Sequence, residues 1–486
     1  MLDSPSNHST EATALLTPIQ YEPKPYLLRS NSIFFHDWRY VFEGNFNWKT
    51  TAEKEEGRYF KDLKEPAKWT AIDMPYGIRL RTVQSQNTEP FLDVGKPWEE
   101  HLRHPSVVLD SGIYRLWYGT RKNMCYAESD DAFTWRKPRL GIQEIEGSKH
   151  NNVVIGMKMP PQPDYFNLGN VFVDPSAPAT ERYKALYMRR IAPDVMKAFT
   201  AKYPGELSPH YQDGADEDIE KEVLAVGGAV SADGLRWKPT KLPLTVHRAD
   251  TQNMMYFDEV RNTYVGYFRT HVFRRRSIGR AESKDFRHFP LLDTIIWPDA
   301  SVGPSDVWYS IGRVSYPGAP DYHLMFAGAW HVTEDNWYHR PATSPDGVMW
   351  GWVPGERPIT LGDGRAWDAG CISMGAGMVA LPGDRVGIPY TGYHIPHKYP
   401  RSPGLGKFAW ATWQKGRVVA LEAEERGEFI TKRVRFEGNT LRVNVNTKHV
   451  GSLAVEVVGE GGKPIEGRSF ADCDVISGDH LDKVVT

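Results

Sequence analysis

The sequence is poor in cysteine and contains no long apolar run. Its three cysteines, Cys125, Cys371 and Cys473, lie far apart and without CxxC spacing, which argues against a disulfide framework and a zinc knuckle. We expect them to be small apolar residues of the interior, because that is how most free cysteines behave. No stretch approaches the roughly twenty apolar residues needed to span a bilayer, so no membrane-spanning helix is predicted.

An excess of charge of one sign is also missing. The 59 Lys and Arg residues balance the 61 Asp and Glu residues, and the formal net charge is -2. This balance favours neither nucleic acid nor an anionic membrane as a partner. The N-terminal residues show no basic stretch followed by an apolar one, so we expect a cytoplasmic protein, or a secreted one whose leader has been removed.

The sequence is rich in aromatic residues, glycine and proline, and it contains a repeated pattern. Aromatic residues make up 12% of the chain, beside 43 Gly and 35 Pro, which is typical of short strands joined by tight turns. Four copies of one pattern have Ala first, Ser third, Asp fifth and an aromatic residue ninth: 127–135, 229–237, 281–289 and 342–350. We expect the Ser and Asp oxygens to bond backbone amides where a third strand turns into a fourth. The ninth residue is expected to pack between sheets.

A second repeated feature is a β-branched strand, a turn and a Tyr-rich strand with alternating polarity. It occurs in five units, at 104–120, 170–188, 253–270, 308–328 and 371–394, the last continuing through 408–421. Five four-stranded meanders cover their faces by radial packing around a channel. The sequence therefore predicts an all-β fold, a five-bladed β-propeller with a C-terminal β-sandwich.

The predicted domains are an N-terminal arm (1–30), the propeller (31–421) and the sandwich (422–486). Residues 31–100 are expected to supply an opening strand, most clearly at 33–42, and the strand that closes the ring. The acidic insertion at 191–222 predicts either a rim loop that shapes a pocket or a solvated excursion.

Carboxylates lie just before the innermost strands of several units, where the loops of a propeller converge on a funnel. Glu99 and Glu100, Asp250, Asp306 and Asp368 have such positions, whereas the second unit offers Asn167, Asn170 and the more distant Asp164. Carboxylates that meet in one funnel repel, so one is expected to hold its proton while others stay ionised. That pairing is what hydrolysis of a glycosidic bond requires. The alternative for each residue is a cap at the start of a strand. The residues that we predict as catalytic are Glu99, Asp250, Asp306 and Asp368.

Aromatic, imidazole and basic side chains near these acids suit sugar binding. Flat tryptophan faces can stack on sugar rings, although packing between blades is the alternative. A basic stretch, Arg269 with Arg274, Arg275 and Arg276, predicts either a grip on a carboxylate, sulfate or phosphate or a solvated loop. His394 and His397 have a spacing that gives weak evidence for a metal, and no metal or other cofactor is predicted. The predicted substrate-binding residues are Trp98, His104, Asn170, Gln252, Arg269, Trp308, Trp367 and His394.

With its SxDG repeats, five units and C-terminal strands, residues 31–486 resemble the five-bladed propeller glycosidases of the invertase and levanase group and of the arabinanase and xylosidase group. That resemblance implies an Asp, a second Asp and a Glu at the inner strands of the first three blades. This sequence has His104-Pro105 instead of Asp-Pro, Asn170 instead of the second Asp, and Asp250 followed by Thr251 instead of the Glu. It is thus similar to a divergent branch with relocated acids. A weaker similarity links the repeats to the Asp-boxes of sialidases.

These observations predict a glycoside hydrolase that acts on an oligosaccharide or glycoside, with a furanoside or an anionic sugar as candidate substrates. Two alternatives stay open. The first is a carbohydrate-binding propeller without catalysis, and the second is a polysaccharide lyase or transferase that uses His394 or His104 with Tyr393. Assembly into a homo-oligomer is a further open alternative.

Overall fold

The structure is a computed structural model that describes residues 25–50, 55–57, 67–120, 122–156, 166–208, 223–400, 402–448, 450–459 and 462–486. Most of the N-terminal arm, Asp164 and the insertion from residue 209 onward therefore lie outside the described residues. The first strands are β1 (Tyr26–Leu27), β2 (Asn45–Thr50), β3 (Glu55–Gly57), β4 (Ala67–Ile72), β5 (Tyr76–Thr82) and β6 (Gln86–Asn87). Strands β3, β2 and β4 form a small three-stranded sheet in that order.

Five antiparallel meanders follow, and each is one blade. Blade 1 contains β7 (Arg103–Asp110), β8 (Ile113–Gly119), β9 (Met124–Ser129) and β10 (Val153–Ile155). Blade 2 contains β11 (Phe166–Val173), β12 (Tyr183–Ile191), β13 (Val223–Ser231) and β14 (Lys238–Pro239). Blade 3 contains β15 (Met254–Asp258), β16 (Thr263–Val272), β17 (Arg275–Ser283) and β18 (Asp293–Ile296).

Blades 4 and 5 have one extra short strand each. Blade 4 contains β19 (Asp306–Ser310), β20 (Arg313–Tyr316), β21 (Ala319–His331), β22 (Asn336–Ser344) and β23 (Gly351–Trp352). Blade 5 contains β24 (Cys371–Met374), β25 (Val379–Leu381), β26 (Arg385–Tyr393) and β27 (Lys407–Gln414), and β6 completes it as the outer strand. The predicted five-bladed, all-β propeller is thus confirmed, and the strand that closes the ring comes from the predicted region 31–100.

The opening strand predicted at 33–42 is wrong, because this segment has no strand. The carboxylate of Asp37 accepts the backbone amide of Arg39 at 2.9 Å, and the amide of Val41 bonds the carbonyl of Trp38 at 3.0 Å. These local bonds turn the chain, since a side chain that captures a nearby amide competes with a strand ladder. The aromatic residues of the segment instead pack on the core, and Phe34 lies 4.6 Å from Tyr316 between ring centroids.

The Ser and Asp turns behave as the sequence predicts. In blade 2, between β13 and β14, Ser231 donates to the Asp233 carboxylate at 2.9 Å, and the same oxygen accepts the amides of Leu235 and Arg236 at 2.8 Å. The first and fourth copies repeat this arrangement. In the third copy the Ser283 hydroxyl donates to the backbone carbonyl of Asp285 at 2.8 Å. The ninth residue packs between blades, since Trp237 of blade 2 lies in one apolar cluster with Trp117 of blade 1.

Acid and tyrosine pairs hold neighbouring blades together. Asp110, the last residue of β7, accepts hydrogen bonds from Tyr183 and Arg182 of blade 2. Asp174, which follows β11, accepts the hydroxyl of Tyr264 of blade 3. Burial raises the pKa of each carboxyl, but these hydrogen bonds outweigh burial, and the pKa of both acids lies below the ordinary value.

Substitution Tyr264→Phe is expected to lower the free energy of unfolding by about 1–3 kcal/mol, because the buried Asp174 loses a hydrogen-bond donor. Since the folded pKa of Asp174 is depressed, its stabilising effect is present above the ordinary pKa of about 3.9 and is lost as the pH falls. The difference between the two proteins should therefore shrink below about pH 4. Urea unfolding across pH measures it. Tyr399→Phe, at a tyrosine that is 58% exposed, is the control, and an equal loss in both variants would contradict the interblade role.

The insertion in blade 2 begins with the helix α1 (Pro193–Lys202), and a 3-10 turn (Ala179–Glu181) precedes β12. Phe199 of α1 is fully buried against Ile191 and Val223. The described part of the insertion is thus packed on its blade. No helix in the described residues is long and apolar enough to cross a membrane.

The C-terminal segment contains β28 (Val419–Glu428), β29 (Val434–Arg435), β30 (Arg442–Asn446) and β31 (Asp479–Val484). Strand β28 pairs with β5, β29 with β1 and β30 with β31. The described strands of 422–486 therefore form two-stranded pairings and not the two packed sheets of the predicted sandwich. Some apolar side chains outside these strands are exposed, and Phe436 and Val475 are 63% and 64% exposed. Cys125 and Cys371 are buried as predicted, whereas Cys473 is half-buried.

Candidate functional site

One cavity of about 860 Å³ opens where the five blades converge, and every blade contributes to its lining. Each of the five inner strands places at least one residue in the lining, on the strand or just before it: His104, Asn167, Gln252, Ser310 and Cys371 are one from each blade. Neighbouring inner strands are tied together beside it, since the Ser106 hydroxyl accepts the amide of Val171 at 2.9 Å and Ser106 bridges Ala376 of blade 5. The closed ring of blades therefore brings residues that are distant in sequence to one central space, which we call the funnel.

Two carboxylates, Asp250 and Glu100, line the funnel among the described residues. Asp250 is half-buried, and the side-chain amide of Asn167 lies 3.4 Å from its Oδ1. Glu100 is half-buried, and its Oε1 lies 3.0 Å from the Lys122 ammonium. The two acids come from the loops that precede the inner strands of blades 3 and 1, so a ligand in the funnel would meet both.

Glu99, the neighbour of Glu100, points away from the funnel into the protein. Its Oε1 accepts the Tyr118 hydroxyl at 2.5 Å, and its Oε2 accepts the Lys137 ammonium at 2.7 Å and the Gly95 amide at 2.9 Å. The Glu99 side chain is completely buried. Its predicted position in the funnel is therefore wrong, because the carboxylate is fully used in holding the loop before blade 1.

Asp306 and Asp368 are also absent from the funnel lining. Asp306 accepts hydrogen bonds from Nδ1 of His331 and from the Tyr338 hydroxyl, the latter at 3.0 Å, and its hydrogen bond raises the pKa of His331. Asp368 is buried and accepts the Tyr390 hydroxyl at 2.9 Å. The predicted meeting of these two acids with Asp250 is wrong, because each is already paired within its own blade.

The three predicted tryptophans are packing residues. Trp98 donates its indole N–H to Asn152 at 2.8 Å, Trp308 stacks on Trp352 with ring centroids 4.6 Å apart, and Trp367 stacks on Tyr390 at 5.7 Å. The structure places them in apolar clusters away from the funnel. The alternative of packing between strands and blades therefore describes them.

Two aromatic residues that were not predicted from the sequence, Tyr309 and Trp337, line the funnel beside His397, which the sequence analysis had considered. Tyr309 and Trp337 lie 4.7 Å apart between ring centroids, and the imidazole of His397 lies 4.6 Å from Tyr309. We call these three residues the aromatic wall. His394, three residues before His397, is exposed and does not line the funnel. Alternation along β19 does not by itself identify Tyr309, because the register shifts between Trp308 and Ser310 and both Tyr309 and Ser310 line the funnel.

The polar residues predicted to bind substrate divide between the funnel and the interfaces of the blades. His104 lines the funnel with a left-handed backbone (φ 54°), and its Nδ1 lies 2.9 Å from the carbonyl of Leu168. Gln252 also lines it and donates to the carbonyls of Pro105 and Gly169. The buried Oε1 of Gln252 has no hydrogen-bond partner in the described parts of the chain.

Asn170 does not line the funnel. It exchanges two hydrogen bonds of 2.9 Å with the backbone of Met255 and so joins blades 2 and 3. Its predicted role in substrate binding is therefore wrong, because both ends of its side-chain amide are already paired.

The arginines of the basic stretch in blade 3 have different roles. Arg275 donates to the carbonyls of Asp306, Pro298 and Gly303 and is structural, whereas Arg274 is exposed at the β16–β17 turn. Arg269 and Arg276 line a second hollow, of about 190 Å³, that shares Asp250 with the funnel.

The funnel is rich in positive charge despite the balanced composition of the chain. Its described lining contains Arg103, Lys122, Arg190 and Lys398 beside the two carboxylates. A surface of this sign attracts anionic ligands. No group of three or more His, Cys, Asp or Glu side chains in the described residues is placed to hold a metal ion.

Comparisons with solved structures find several carbohydrate-active proteins. An N-acetylgalactosamine deacetylase from F. plautii, in complex with blood group B trisaccharide, is 13% identical with a TM-score of 0.44, over 69% of this chain and 95% of that chain. A thermostable family-43 glycoside hydrolase is 15% identical with a TM-score of 0.43, over 70% and 96%. The alpha-L-arabinofuranosidase PaAbf62A from Podospora anserina, in complex with cellotriose, is 12% identical with a TM-score of 0.44, over 69% and 98%.

No protein-family model and no curated protein matches the chain. Glycoside hydrolases, to which the sequence is predicted to be similar, are thus among the structures that this chain resembles. At 12–15% identity and TM-scores below 0.5, these likenesses carry no inference about substrate or catalytic residues.

Proposed function

We propose that the chain is a glycoside hydrolase whose active site is the funnel, with Asp250 and Glu100 as the two working carboxyl groups. The observation that carries the proposal is the presence of both carboxylates, from different blades, in the lining of one cavity. Hydrolysis of a glycosidic bond needs one carboxyl group to protonate the leaving oxygen. A second must activate water or attack the sugar carbon.

The aromatic wall supports a sugar as the ligand. Tyr309 and Trp337 present ring surface in the same cavity as the two acids, and the C–H face of a sugar can stack on such rings. The His104 ring and the unpaired Oε1 of Gln252 offer hydrogen-bonding groups for hydroxyls at the inner end of the blades. Glu100 replaces Glu99 in this proposal, since only Glu100 faces the ligand space.

A panel of aryl pyranosides, furanosides and uronides tests the proposal by release of the chromophore from the wild-type chain. Release that depends on Asp250 is expected for at least one member. NMR of the first product then shows whether the anomeric configuration is retained or inverted, which reports a short or a long separation of the carboxyl groups. No release above that of an Asp250→Asn variant would contradict hydrolysis.

A second candidate function is carbohydrate binding without catalysis. The ion pair between Glu100 and Lys122 favours it, as do the structural roles of Glu99, Asp306 and Asp368. It predicts oligosaccharide binding in calorimetry with no product after days of incubation. A lyase would use His104 with Tyr393, which also lines the funnel, and its unsaturated product would absorb in the ultraviolet.

A further inference from the structure

The second hollow, which we call the arginine hollow, is built almost entirely by blade 3. It is lined by Arg248, Asp250, Arg269, His271 and Arg276. His271 of β16 pairs in register with Arg276 of β17, and Arg269 lies two residues before His271 on the same strand. Alternate residues of a strand share a face, so the sheet presents Arg269, His271 and Arg276 on one side.

The two inner guanidinium groups are held in place before any ligand arrives. Arg269 is 4% exposed, donates from Nη2 to the carbonyl of Tyr309 at 2.9 Å, and lies 4.4 Å from the centroid of the Tyr309 ring. The guanidinium of Arg276 lies 5.0 Å from the same ring and 5.5 Å from that of Trp330. A guanidinium fixed on aromatic faces loses less freedom on binding than a mobile lysine would.

The hollow also contains unsatisfied binding capacity. The buried Nε of Arg269 has no hydrogen-bond partner in the part of the chain that the structure describes. A buried donor without an acceptor costs free energy, so this arginine is not fully satisfied by the protein alone. Three guanidinium groups, those of Arg248, Arg269 and Arg276, line the same small hollow, and burial together with the neighbouring charge of Arg269 lowers the pKa of Arg276.

We propose that the arginine hollow is a subsite for an anionic group, a carboxylate, sulfate or phosphate, carried by a sugar that occupies the funnel. Guanidinium groups bind such oxyanions through paired, charge-assisted hydrogen bonds. Asp250 borders both spaces, so a sugar ring beside this acid can place a substituent among the arginines. At about 190 Å³ the hollow is far smaller than the funnel, which suits a substituent better than an oligosaccharide. The inference deepens the proposed function and rests on a sugar binding in the funnel.

Calorimetry with a matched ligand series tests this subsite. The full chain is titrated with glucose, glucuronate, glucose 6-sulfate and glucose 6-phosphate, and with inorganic sulfate, inorganic phosphate and acetate as the free groups. At least one anionic sugar is expected to bind tenfold or more tightly than glucose, and the best free group identifies the preferred oxyanion. Equal binding of charged and neutral sugars, or binding of none of the seven probes, overturns the proposal.

Matched arginine variants distinguish binding in the arginine hollow from a general attraction of anions to positive charge. Arg276→Gln is expected to remove the preference for the anionic sugar, whereas Arg274→Gln, at the exposed turn beside it, should keep it. Arg248 is exposed, so Arg248→Gln provides a second variant if Arg276→Gln does not fold. This substitution should lower the affinity for the anionic sugar at least threefold. Equal losses in Arg274→Gln and the hollow variants overturn the proposal.

Together with the panel of aryl glycosides, these titrations distinguish failure of the subsite from failure of the proposed hydrolysis. A preference for anionic sugars without turnover leaves the subsite intact and contradicts catalysis. Release of neutral glycosides, with no preference for charge, supports catalysis and contradicts the subsite.

Discussion

Replacing Asp250 by asparagine is expected to reduce turnover of the best glycoside by about 10²–10⁴-fold while the chain stays folded. Asp250 is half-buried at the border of the funnel and the arginine hollow, and asparagine keeps its shape while removing the charge and the proton that it exchanges. Steady-state kinetics measure the loss, and urea unfolding confirms that the fold is retained.

Asp306→Asn is the matched control for this variant. Asp306 is the first residue of the inner strand β19, but its oxygens accept hydrogen bonds from His331 and Tyr338. We expect the folded Asp306→Asn protein to keep turnover within a few-fold of wild type. If the two variants lost turnover equally, the funnel would not be the site of chemistry. If neither lost turnover, Asp250 would have no catalytic role.

The neighbouring residues Glu99 and Glu100 should give opposite results when each is replaced by alanine. Glu99→Ala is expected to lower the free energy of unfolding by about 3–5 kcal/mol, because it leaves the ammonium of Lys137 without its buried partner. The side chains of Glu99 and Lys137 are 0% and 12% exposed, so solvent screens this pair little. Glu100→Ala should change stability by about 1 kcal/mol or less, since its ion pair with Lys122 is partly exposed.

Urea unfolding and turnover, measured on both alanine variants, check this pair. Turnover should fall in Glu100→Ala and persist in the folded fraction of Glu99→Ala. If Glu100→Ala were destabilised but kept normal turnover, Glu100 would not be a catalytic residue. If a stable Glu99→Ala protein lost turnover, Glu99 would again be a candidate for that role.

The fold could be predicted because its signals are local and repeated. Ser231 and Asp233 fix a turn through bonds that span three residues or fewer, so their pattern survives in the sequence of several blades. Alternation of apolar and polar residues with period two is also a local signal, and it identifies the strands. The repeat count therefore gives the number of blades, although it does not show which strand completes the last one.

For the candidate site, the sequence predicts which strands carry its residues, but it does not always predict which side chains face the funnel. Of the adjacent residues Glu99 and Glu100, and likewise of Trp308 and Tyr309, only the second lines the funnel. Position near the start of an inner strand is readable in sequence, whereas side-chain direction in a loop depends on bonds to distant residues. Lys137 decides the direction of Glu99 through an ion pair across 38 positions of the chain, and no local pattern reports such a partner.

The predictions for the two terminal regions differ from the structure for a related reason. The segment at 33–42 has the aromatic and β-branched residues of a strand, but the carboxylate of Asp37 accepts a backbone amide and the chain turns there. The segments after Leu421 have the alternation of a sandwich, yet their described strands form only two-stranded pairings. Alternation shows that a strand has one apolar face, and a second sheet must still be present to cover it.

The way in which the fifth blade is completed has a consequence for biosynthesis. Its outermost strand, β6, is translated early, but β27, which receives it, is the last strand of the five blades to be made, and the Thr412 hydroxyl bonds the carbonyl of Gln86 across 326 positions of the chain. Until the ribosome has released β27, the first four blades stand as an open arc with unpaired edges. Closure of so long a loop carries a large entropic cost before it yields any contact. We therefore expect the nascent chain to be most prone to aggregation just before the circle is completed.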